Sequence, residues 1–263
     1  MQVGVLGIGV LGAGLEGWVN SREVLAGTVP FLPSSTPDPE AAILPANERR
    51  RSSDCVRWAV QVAQEAMAQS GLDPHEVATV FASSGGEMGV LDKLCRALAA
   101  SERVISPTLF HQSVHNTAAG YWGIATSCQQ SSTALSCYDD SCAVGLLEAV
   151  TYATIEARPV LFVAYDLPAP EPLNGARPIA SAFATSLVLT SSSEPALATA
   201  SVSLIAAQRN DVTEMPGHNL ERLRLDNPAA RLLPVLRALA MKGRHRVNMN
   251  VLDDQRLVVE IET

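Results

Sequence analysis

The chain has 263 residues, of which 47% are hydrophobic and 17% are charged, and it carries a net charge of −8 at pH 7. A chain of this length buries a full-sized hydrophobic core, so we predict one domain spanning residues 1–263 and exclude a disordered protein. The acidic balance excludes a nucleic-acid-binding protein, because binding a phosphate backbone takes basic surface and the longest basic run is Arg49-Arg50-Arg51.

The first predicted element is a buried strand over residues 3–10, where apolar residues alternate with glycine. This stretch has no Lys or Arg in front of it and is broken by glycines, so it is neither a signal peptide nor a membrane span. Gly7, Gly9 and Gly12 match the GxGxxG spacing of dinucleotide-binding folds, which requires a helix directly after the motif. Residues 28–45 are rich in Pro, Ser and Thr and are predicted to form a loop, so nucleotide binding is the less favoured alternative.

The segments after this loop alternate between helix and strand, which predicts a layered α/β domain. Ser53 or Asp54 is predicted to cap the first of these helices, and Gly71 ends it. A glycine-rich turn between a strand and a helix holds an anion in some proteins and only redirects the chain in others. The predicted order is helix, strand, glycine-rich turn and helix, over residues 51–70, 77–82, 83–86 and 88–100.

The segment over residues 117–125 combines small residues with Tyr121 and Trp122. Small residues permit close approach of another chain and large aromatic residues anchor interfaces, so we predict a subunit contact here. The alternative is that Trp122 fills the core of this subunit. His111 and His115 precede the segment, and because no carboxylate lies beside either in the sequence, structural roles are favoured over roles as a ligand or a base.

Residues 133–141 mark an elbow, where a short apolar strand runs directly into a helix. Asp139, Asp140 and Ser141 are predicted to cap this helix, because their oxygens accept orphan backbone N–H groups and negative charge suits the positive end of the helix dipole. Cys137 lies at the elbow, where the helix N-terminus favours its thiolate and the adjacent carboxylates oppose it. The alternative is a small buried hydrophobe that ends a core strand.

The chain beyond the elbow helix begins with a continuous apolar run over residues 160–166, which predicts a strand buried on both faces. The further predicted elements are strands over 182–190 and 197–206, a polar irregular loop over 207–227, a helix over 228–241, and a hairpin whose strands 246–251 and 257–261 turn at Asp253-Asp254.

The cysteines are scattered through the chain without a Cys-x-x-Cys pair. An odd number of cysteines in a chain of this size predicts reduced thiols and a cytoplasmic protein, not a disulfide framework or a zinc site. We therefore expect no metal and no cofactor. The five residues are Cys55, Cys95, Cys128, Cys137 and Cys142.

Several short motifs together resemble a known family. From about residue 1 to 190 the chain resembles the N-terminal half of β-ketoacyl synthases, and it is most similar to the short β-ketoacyl synthase-like proteins known as chain length factors. The resemblance implies a layered, thiolase-like α/β fold with a short C-terminal helix and hairpin. It is carried by Arg49-Arg50-Arg51, Ser84-Gly85-Gly86, Ile105-Ser106-Pro107, Asn116-Thr117-Ala118-Ala119-Gly120, Ser136-Cys137-Tyr138-Asp139 and the helix containing residues 229–234.

The same resemblance implies a site at the elbow. In catalytic members the elbow carries the acyl-accepting cysteine, and Cys137 falls at or near that position. Those members also take two histidines from a second half of the chain, and neither His218 nor His245 lies in the sequence context that the family uses.

The favoured hypothesis is thus a non-catalytic chain length factor. It would pair with a full-length ketosynthase across the strand before the elbow, work with an acyl carrier protein, and shape the acyl tunnel in polyketide, fatty-acid-like or aryl polyene biosynthesis. One alternative is an acyltransferase or ketosynthase-like enzyme with Cys137 as the nucleophile, and another is a homodimeric protein that binds an acyl chain. The residues predicted for the interface or tunnel are Asn116, Tyr121, Trp122, Ser136, Cys137 and Tyr138.

Overall fold

The computed structural model describes residues 1–191, 196–208, 211–252 and 254–263. Its strands are β1 (Gln2–Gly12), β2 (Leu15–Glu16), β3 (Ala78–Ala82), β4 (Ser132–Leu135), β5 (Val160–Asp166), β6 (Phe183–Thr190), β7 (Ala198–Ala206), β8 (Arg244–Val251) and β9 (Gln255–Glu262). Its α-helices are α1 (Trp18–Ala26), α2 (Ala46–Arg51), α3 (Asp54–Ser70), α4 (Met88–Ala99), α5 (Pro107–His111), α6 (Thr117–Thr126), α7 (Ser141–Ile155), α8 (Leu173–Ala176), α9 (His218–Asp226) and α10 (Leu233–Ala240).

The strands form one mixed sheet in the order β4-β3-β5-β6-β1-β7-β9-β8, with the short β2 paired to β1. β3 runs parallel to both of its neighbours, β4 and β5, and the pairings from β5 to β8 are antiparallel. Helices α3 and α6 pack on one face of the sheet and α7 on the other. Because α7 contacts both β3 and the distant strand β8, the sheet curves around it. The predicted layered α/β architecture is confirmed.

A separate core lies on each face of the sheet, and strand β5 contributes to both. Every residue of β5 is buried; Phe162 packs with α7 on one face, and Leu161 and Val163 pack with α3 on the other. The strand is apolar up to Asp166 because successive side chains point to opposite faces of the sheet and both faces are covered. The predicted two-sided burial is confirmed.

The glycines of β1 allow helix α3 to lie directly against the strand. A Cβ atom added at Gly7 would lie 2.0 Å from the carbonyl oxygen of Ala66, and one at Gly9 would lie 2.2 Å from that of Val62. Only glycine fits at such distances, so the space that a pyrophosphate would need beside these residues is filled by α3. The glycine pattern is therefore explained by packing.

Several helices were not expected from the sequence, among them α1, α2, α5, α8 and α9. Helix α1 follows the glycine-rich strand, and helix α9 lies within residues 207–227, where an irregular loop is predicted. The loop prediction is thus wrong for residues 218–226, where Leu220 is buried and Glu221 forms an ion pair with Arg224. Arg209 and Asn210 of that segment lie outside the described residues.

Most of the other elements are confirmed within a few residues. Ser53 caps α3 by accepting a hydrogen bond from the backbone N–H of Val56, and Gly71 ends the helix in the left-handed conformation. The helix predicted over 228–241 is a short 3-10 turn, Ala229–Leu232, followed by α10. The C-terminal hairpin is formed by β8 and β9, and Asp253 of its predicted turn lies outside the described residues. None of the described helices is both long and apolar enough to span a bilayer.

Candidate functional site

The carboxyl ends of β3, β4 and β5 lie side by side, and polar groups from all three meet there. Asp166, the last residue of β5, accepts hydrogen bonds from the backbone N–H and hydroxyl of Ser84, at 2.8 and 2.7 Å, and from the hydroxyl of Ser83 at 3.1 Å. The hydroxyl of Ser136, just after β4, donates to the carbonyl oxygen of Ser84 at 3.1 Å. The carboxyl edge of parallel strands is where α/β proteins commonly bind ligands, so this is the candidate site.

The glycine-rich turn after β3 is held by an anion of the chain itself. The backbone N–H of Gly85 adds a longer hydrogen bond to Asp166, at 3.4 Å, so the carboxylate takes the position that an external anion would occupy. Burial raises the pKa of Asp166 to about 6, and the hydrogen bonds from Ser84 and Ser83 oppose this rise. The turn was predicted either to bind an anion or only to redirect the chain. Because the carboxylate of Asp166 already binds its N–H groups, the structure favours the second alternative.

A second buried acid follows the same turn. Glu87 is 5% exposed and accepts a hydrogen bond from the hydroxyl of Ser53 at 2.8 Å. Burial raises the pKa of Glu87 to about 7, and the Ser53 hydrogen bond partly offsets this. The nearby Cys55 thiol donates to the carbonyl oxygen of Gly86 at 3.4 Å, and burial raises its pKa as well. Neither acid was singled out from the sequence, although an acidic residue at the end of a wholly apolar strand is a usable signal for Asp166.

The elbow between β4 and α7 lies where it was predicted. Cys137 follows the strand and is half-buried, and Tyr138 is 64% exposed with φ at 54°, in the left-handed region. A short 3-10 turn, Tyr138–Asp140, leads into α7. The hydroxyl of Ser141 accepts a hydrogen bond from the backbone N–H of Cys137 at 2.9 Å and donates to the carbonyl oxygen of Tyr138 at 2.6 Å.

The two cysteines near the elbow have different surroundings. Cys142 is 1% exposed and burial raises the pKa of its thiol, whereas Cys137 remains partly accessible beyond the end of the strand. The alternative of a buried hydrophobe ending a core strand therefore describes Cys137 poorly. Cys137 lies, half-buried, at the carboxyl edge of the sheet.

Asp139 and Asp140 bind arginines and do not form the predicted side-chain caps of α7. The carboxylate of Asp139 pairs with both Arg177 and Arg231, and that of Asp140 lies 3.5 Å from Arg231. Asp140 also accepts from the backbone N–H of Leu252 at 2.9 Å. The capping prediction is wrong because partners from distant parts of the chain satisfy these carboxylates first. The guanidinium carbon of Arg177 also lies 3.7 Å from the centroid of the Tyr138 ring.

Two of the histidines contact backbone carbonyl oxygens. His115 contacts the carbonyl oxygen of Ser83 at 3.0 Å and so holds the turn after β3. His218 is exposed at the start of α9, and His245 on β8 contacts the carbonyl oxygen of Lys242 at 3.0 Å. The guanidinium groups of Arg177 and Arg231 and the backbone N–H of Leu252 reach the elbow turn from elsewhere in the described part of the chain.

Tyr121 and Trp122 lie in the core of the subunit. Trp122 is 1% exposed and Tyr121 is 4% exposed, both in the cluster that α3 covers, and the Tyr121 hydroxyl accepts from Gln112 at 2.9 Å. Their side chains are therefore not surface anchors, and the alternative of a core role describes Trp122. The outer side of α6 carries Asn116, Gly120 and the 53% exposed Ile124.

A groove of about 520 Å³ runs between that outer side of α6 and strand β4. Its small lining residues leave the backbone of both elements close to the surface, which suits the close approach of another chain. The lining residues are His115, Asn116, Ala119, Gly120, Gly123, Cys128, Ser132 and Ala134.

The sequence was compared with models of known protein families. The family described as β-ketoacyl synthase, N-terminal domain, matches residues 24–245, which is more than half of the chain. The chain belongs to this family. The match spans the basic run on α2, the glycine-rich turn after β3 and the elbow of this ketosynthase-like chain, so the resemblance stated from these motifs is confirmed. No match is found among curated proteins.

Solved structures show the same fold. The ketosynthase ApeO in complex with its chain length factor ApeC from Xenorhabdus doucetiae matches with 21% identity and a TM-score of 0.73, over 100% of both chains. AntDE:AntF, a type II acyl-carrier protein in complex with its ketosynthase bound to the hexaketide, matches with 13% identity and a TM-score of 0.78, over 100% of this chain and 99% of the other. The ishigamide ketosynthase/chain length factor matches with 12% identity and a TM-score of 0.70, over the same shares. The predicted thiolase-like fold is confirmed.

Proposed function

We propose that this ketosynthase-like chain is a non-catalytic subunit that pairs with a full-length ketosynthase and shapes the tunnel in which an acyl chain grows. The observation that carries the proposal is the elbow, where the thiol of Cys137 is followed by two carboxylates bound to arginines. Decarboxylative condensation develops negative charge on a carbonyl oxygen and needs hydrogen-bond donors aimed at it. Guanidinium groups already paired with Asp139 and Asp140 are poorly suited to that task.

Strand β4 is the proposed contact with the ketosynthase. It lies at one edge of the sheet and pairs with β3 on one side, and no strand within residues 1–191, 196–208, 211–252 and 254–263 pairs with its other side. Its residues are small or uncharged and partly exposed. An open edge of this kind readily accepts a strand from another chain, and the sheet would then continue through both subunits.

Exposed apolar side chains on α5, on α6 and between them support a contact with another protein. Phe110 on α5 is 67% exposed, Val114 between α5 and α6 is 51% exposed, and Ile124 on α6, which packs beside β4, is 53% exposed. Large apolar side chains left on the surface can serve as contacts for another protein. The solved ketosynthase and chain length factor pairs with the same fold add support for a ketosynthase as the partner.

The acyl carrier protein is the proposed second partner, and α2 is its proposed contact. Arg49, Arg50 and Arg51 are exposed in a chain with a net charge of −8. Such a local positive patch on an acidic protein attracts an acidic partner and raises the rate of encounter. The solved complex of an acyl-carrier protein with its ketosynthase, which has the same fold, supports an acyl carrier protein as a partner.

The decisive experiment is reconstitution with a full-length ketosynthase from the same genome. We expect a 1:1 complex, and we expect Ala134→Arg to weaken it by about a hundredfold, because the new charge would be desolvated at the contact. The matched control is Ser201→Arg on the exposed face of β7, which should bind as the wild type does. Circular dichroism confirms that both variants fold. Equal binding by Ala134→Arg and the wild type would refute the contact at β4.

The acyltransferase alternative is retained because Cys137 lies at the elbow and is only half-buried. An enzyme of that kind forms a covalent acyl-cysteine. Incubation of the isolated chain with acyl coenzyme A, followed by mass spectrometry, tests this directly, with Cys137→Ser as the control. The proposed function predicts no acyl adduct at Cys137, and rapid stoichiometric acylation there would favour the enzyme.

A further inference from the structure

We propose that Arg177 is a positioning residue that fixes the ring of Tyr138, and that the fixed ring sets the length of acyl chain that the paired subunits make; the second half of this inference rests on the proposed function. The two side chains come from different parts of the chain. Tyr138 belongs to the elbow after β4, and Arg177 follows α8 in the proline-rich segment beyond β5.

The guanidinium group of Arg177 has two partners at the elbow. Its carbon lies 3.7 Å from the centroid of the Tyr138 ring, and Nη2 donates to Oδ1 of Asp139. The other oxygen of Asp139 accepts from Arg231 at 3.0 Å, so the carboxylate is itself anchored from the far side. Arg177 is 22% exposed in this position. The guanidinium group of Arg177 is therefore fixed by its ion pair with Asp139, and the ring of Tyr138 stacks on it.

Tyr138 is a residue that needs such support. It is 64% exposed and its φ of 54° lies in the left-handed region, which is uncommon for a residue with a large side chain. An exposed aromatic side chain exchanges between rotamers within nanoseconds unless a neighbour restrains it. The face-on guanidinium supplies that restraint through the attraction between a cation and the aromatic ring.

Only arginine fits both contacts. A planar guanidinium can stack on a ring and pair with a carboxylate at the same time, whereas a lysine ammonium is a point charge that keeps the ion pair and loses the stack. Arg177→Lys therefore separates the two contacts. It is also the variant least disruptive to the charge balance of the elbow.

Because of where the Tyr138 ring lies, holding it in one orientation would affect the length of the acyl chain. Tyr138 directly follows Cys137 at the carboxyl edge of the sheet, next to the strand proposed to meet the ketosynthase. A ring held in one place presents a fixed limit to an apolar chain that extends towards it, because forcing extra methylene groups into occupied space is unfavourable. A ring released from Arg177 can swing aside and admit a longer chain.

The first test uses the isolated chain and does not depend on the proposed function. The protein is labelled with 3-fluorotyrosine, which gives four fluorine sites, and the Tyr138 signal is assigned with Tyr138→Phe. We expect the Tyr138 signal to move towards the free amino acid and to sharpen in Arg177→Ala and in Arg177→Lys. Arg222→Ala, which removes another exposed ion pair, is the control and should leave the signal in place. An unchanged signal in both Arg177 variants overturns the inference.

The second test uses the complex with the ketosynthase and a mass spectrum of the carrier-bound products. Arg177→Ala and Arg177→Lys should both raise the ratio of products longer than the main wild-type product to that main product by about fivefold, the change in population expected for the loss of one cation–π contact. Tyr138→Ala should do the same, and adding Arg177→Ala to it should have no further effect. A released ring with unchanged products overturns the role in chain length. If the wild-type pair makes no product, the proposed function fails, and the fluorine signal still decides whether Arg177 positions Tyr138.

Discussion

The buried carboxyl group of Glu87 should make the stability of this protein depend on pH. Its pKa is raised by burial to about 7, compared with an ordinary value of 4.5. The folded protein therefore holds this proton more tightly than the unfolded chain does, and unfolding releases it between pH 4.5 and about 7. The free energy of unfolding must fall as the pH rises through that window. Above pH 7 the contribution of Glu87 becomes constant, because both states are then ionised.

The size of the effect follows from the difference between the two pKa values, which corresponds to about 3 kcal/mol. Replacing Glu87 by Gln keeps the shape of the side chain and removes the proton. Urea unfolding at pH 5 and at pH 8 should show that Glu87→Gln loses about 3 kcal/mol less stability between these two values than the wild type does. Some dependence will remain in this variant, since burial also raises the pKa values of Asp166 and Glu65.

Two further variants sharpen the assay. Glu76→Gln changes an exposed acid and should keep the pH dependence of the wild type. Ser53→Ala removes the hydrogen bond that lowers the pKa of Glu87, so the loss of stability should extend to higher pH. If Glu87→Gln and the wild type lose equal stability between pH 5 and pH 8, the carboxyl group of Glu87 is not held protonated by burial.

The remaining predictions concern packing and chemistry. Gly9→Ala should lower the free energy of unfolding, measured with urea, by about 3 kcal/mol, because its Cβ would lie 2.2 Å from the Val62 carbonyl oxygen. The control is Gly89→Ala, where no atom lies within 4 Å of the added Cβ, and it should be neutral or slightly stabilising. Trp122→Ala should cost about 3 to 5 kcal/mol in the same assay, and weaker partner binding with unchanged stability would contradict its core role. Cys137→Ala should leave product formation by an intact complex nearly unchanged, whereas a loss of about a hundredfold would show that its thiol is catalytic.

The elements that could be predicted are those whose pattern is set by the sheet itself. The run at β5 is apolar throughout because both of its faces are covered, and α3 shows helical spacing because only one side faces the sheet. The elbow could be located for the same reason, since a strand pattern changes to a helix pattern within a few residues. Each of these patterns involves residues that are close together in the sequence, so it can be recognised without knowledge of the fold.

The contacts that could not be predicted join residues far apart in the chain. Asp166 binds the backbone of Ser84 across 82 positions, and the arginines that hold Asp139 and Asp140 arrive from the segment after α8 and from the turn before α10. A carboxylate near the start of a helix can either accept hydrogen bonds from the N-terminal N–H groups of the helix or form an ion pair. The choice between them depends on which partner the fold brings near.

The burial of Trp122 and the presence of helix α1 could not be predicted from the sequence, for different physical reasons. An aromatic residue among small residues suits either a subunit contact or a core, and only the packing of α3 over Trp122 decides between these. Helix α1 buries a narrow stripe of Trp18, Ser21 and Leu25 within nine residues, and the N-cap residue Gly17 makes no side-chain hydrogen bond. Neither its start nor its apolar face is marked clearly in the sequence.

The two ends of the sheet differ in a way that limits how many subunits can assemble. Strand β8, at one end, carries Arg244 and Arg246, whose side chains are 81% and 55% exposed and pair with Glu262 and Glu260. Charged residues on an edge strand oppose the addition of another strand, because their water would have to be removed. Strand β4, at the other end, has no charged residue along Ser132–Leu135. With β4 as the proposed contact, the sheet would grow from one end only, so that assembly would stop at two subunits and form no fibre.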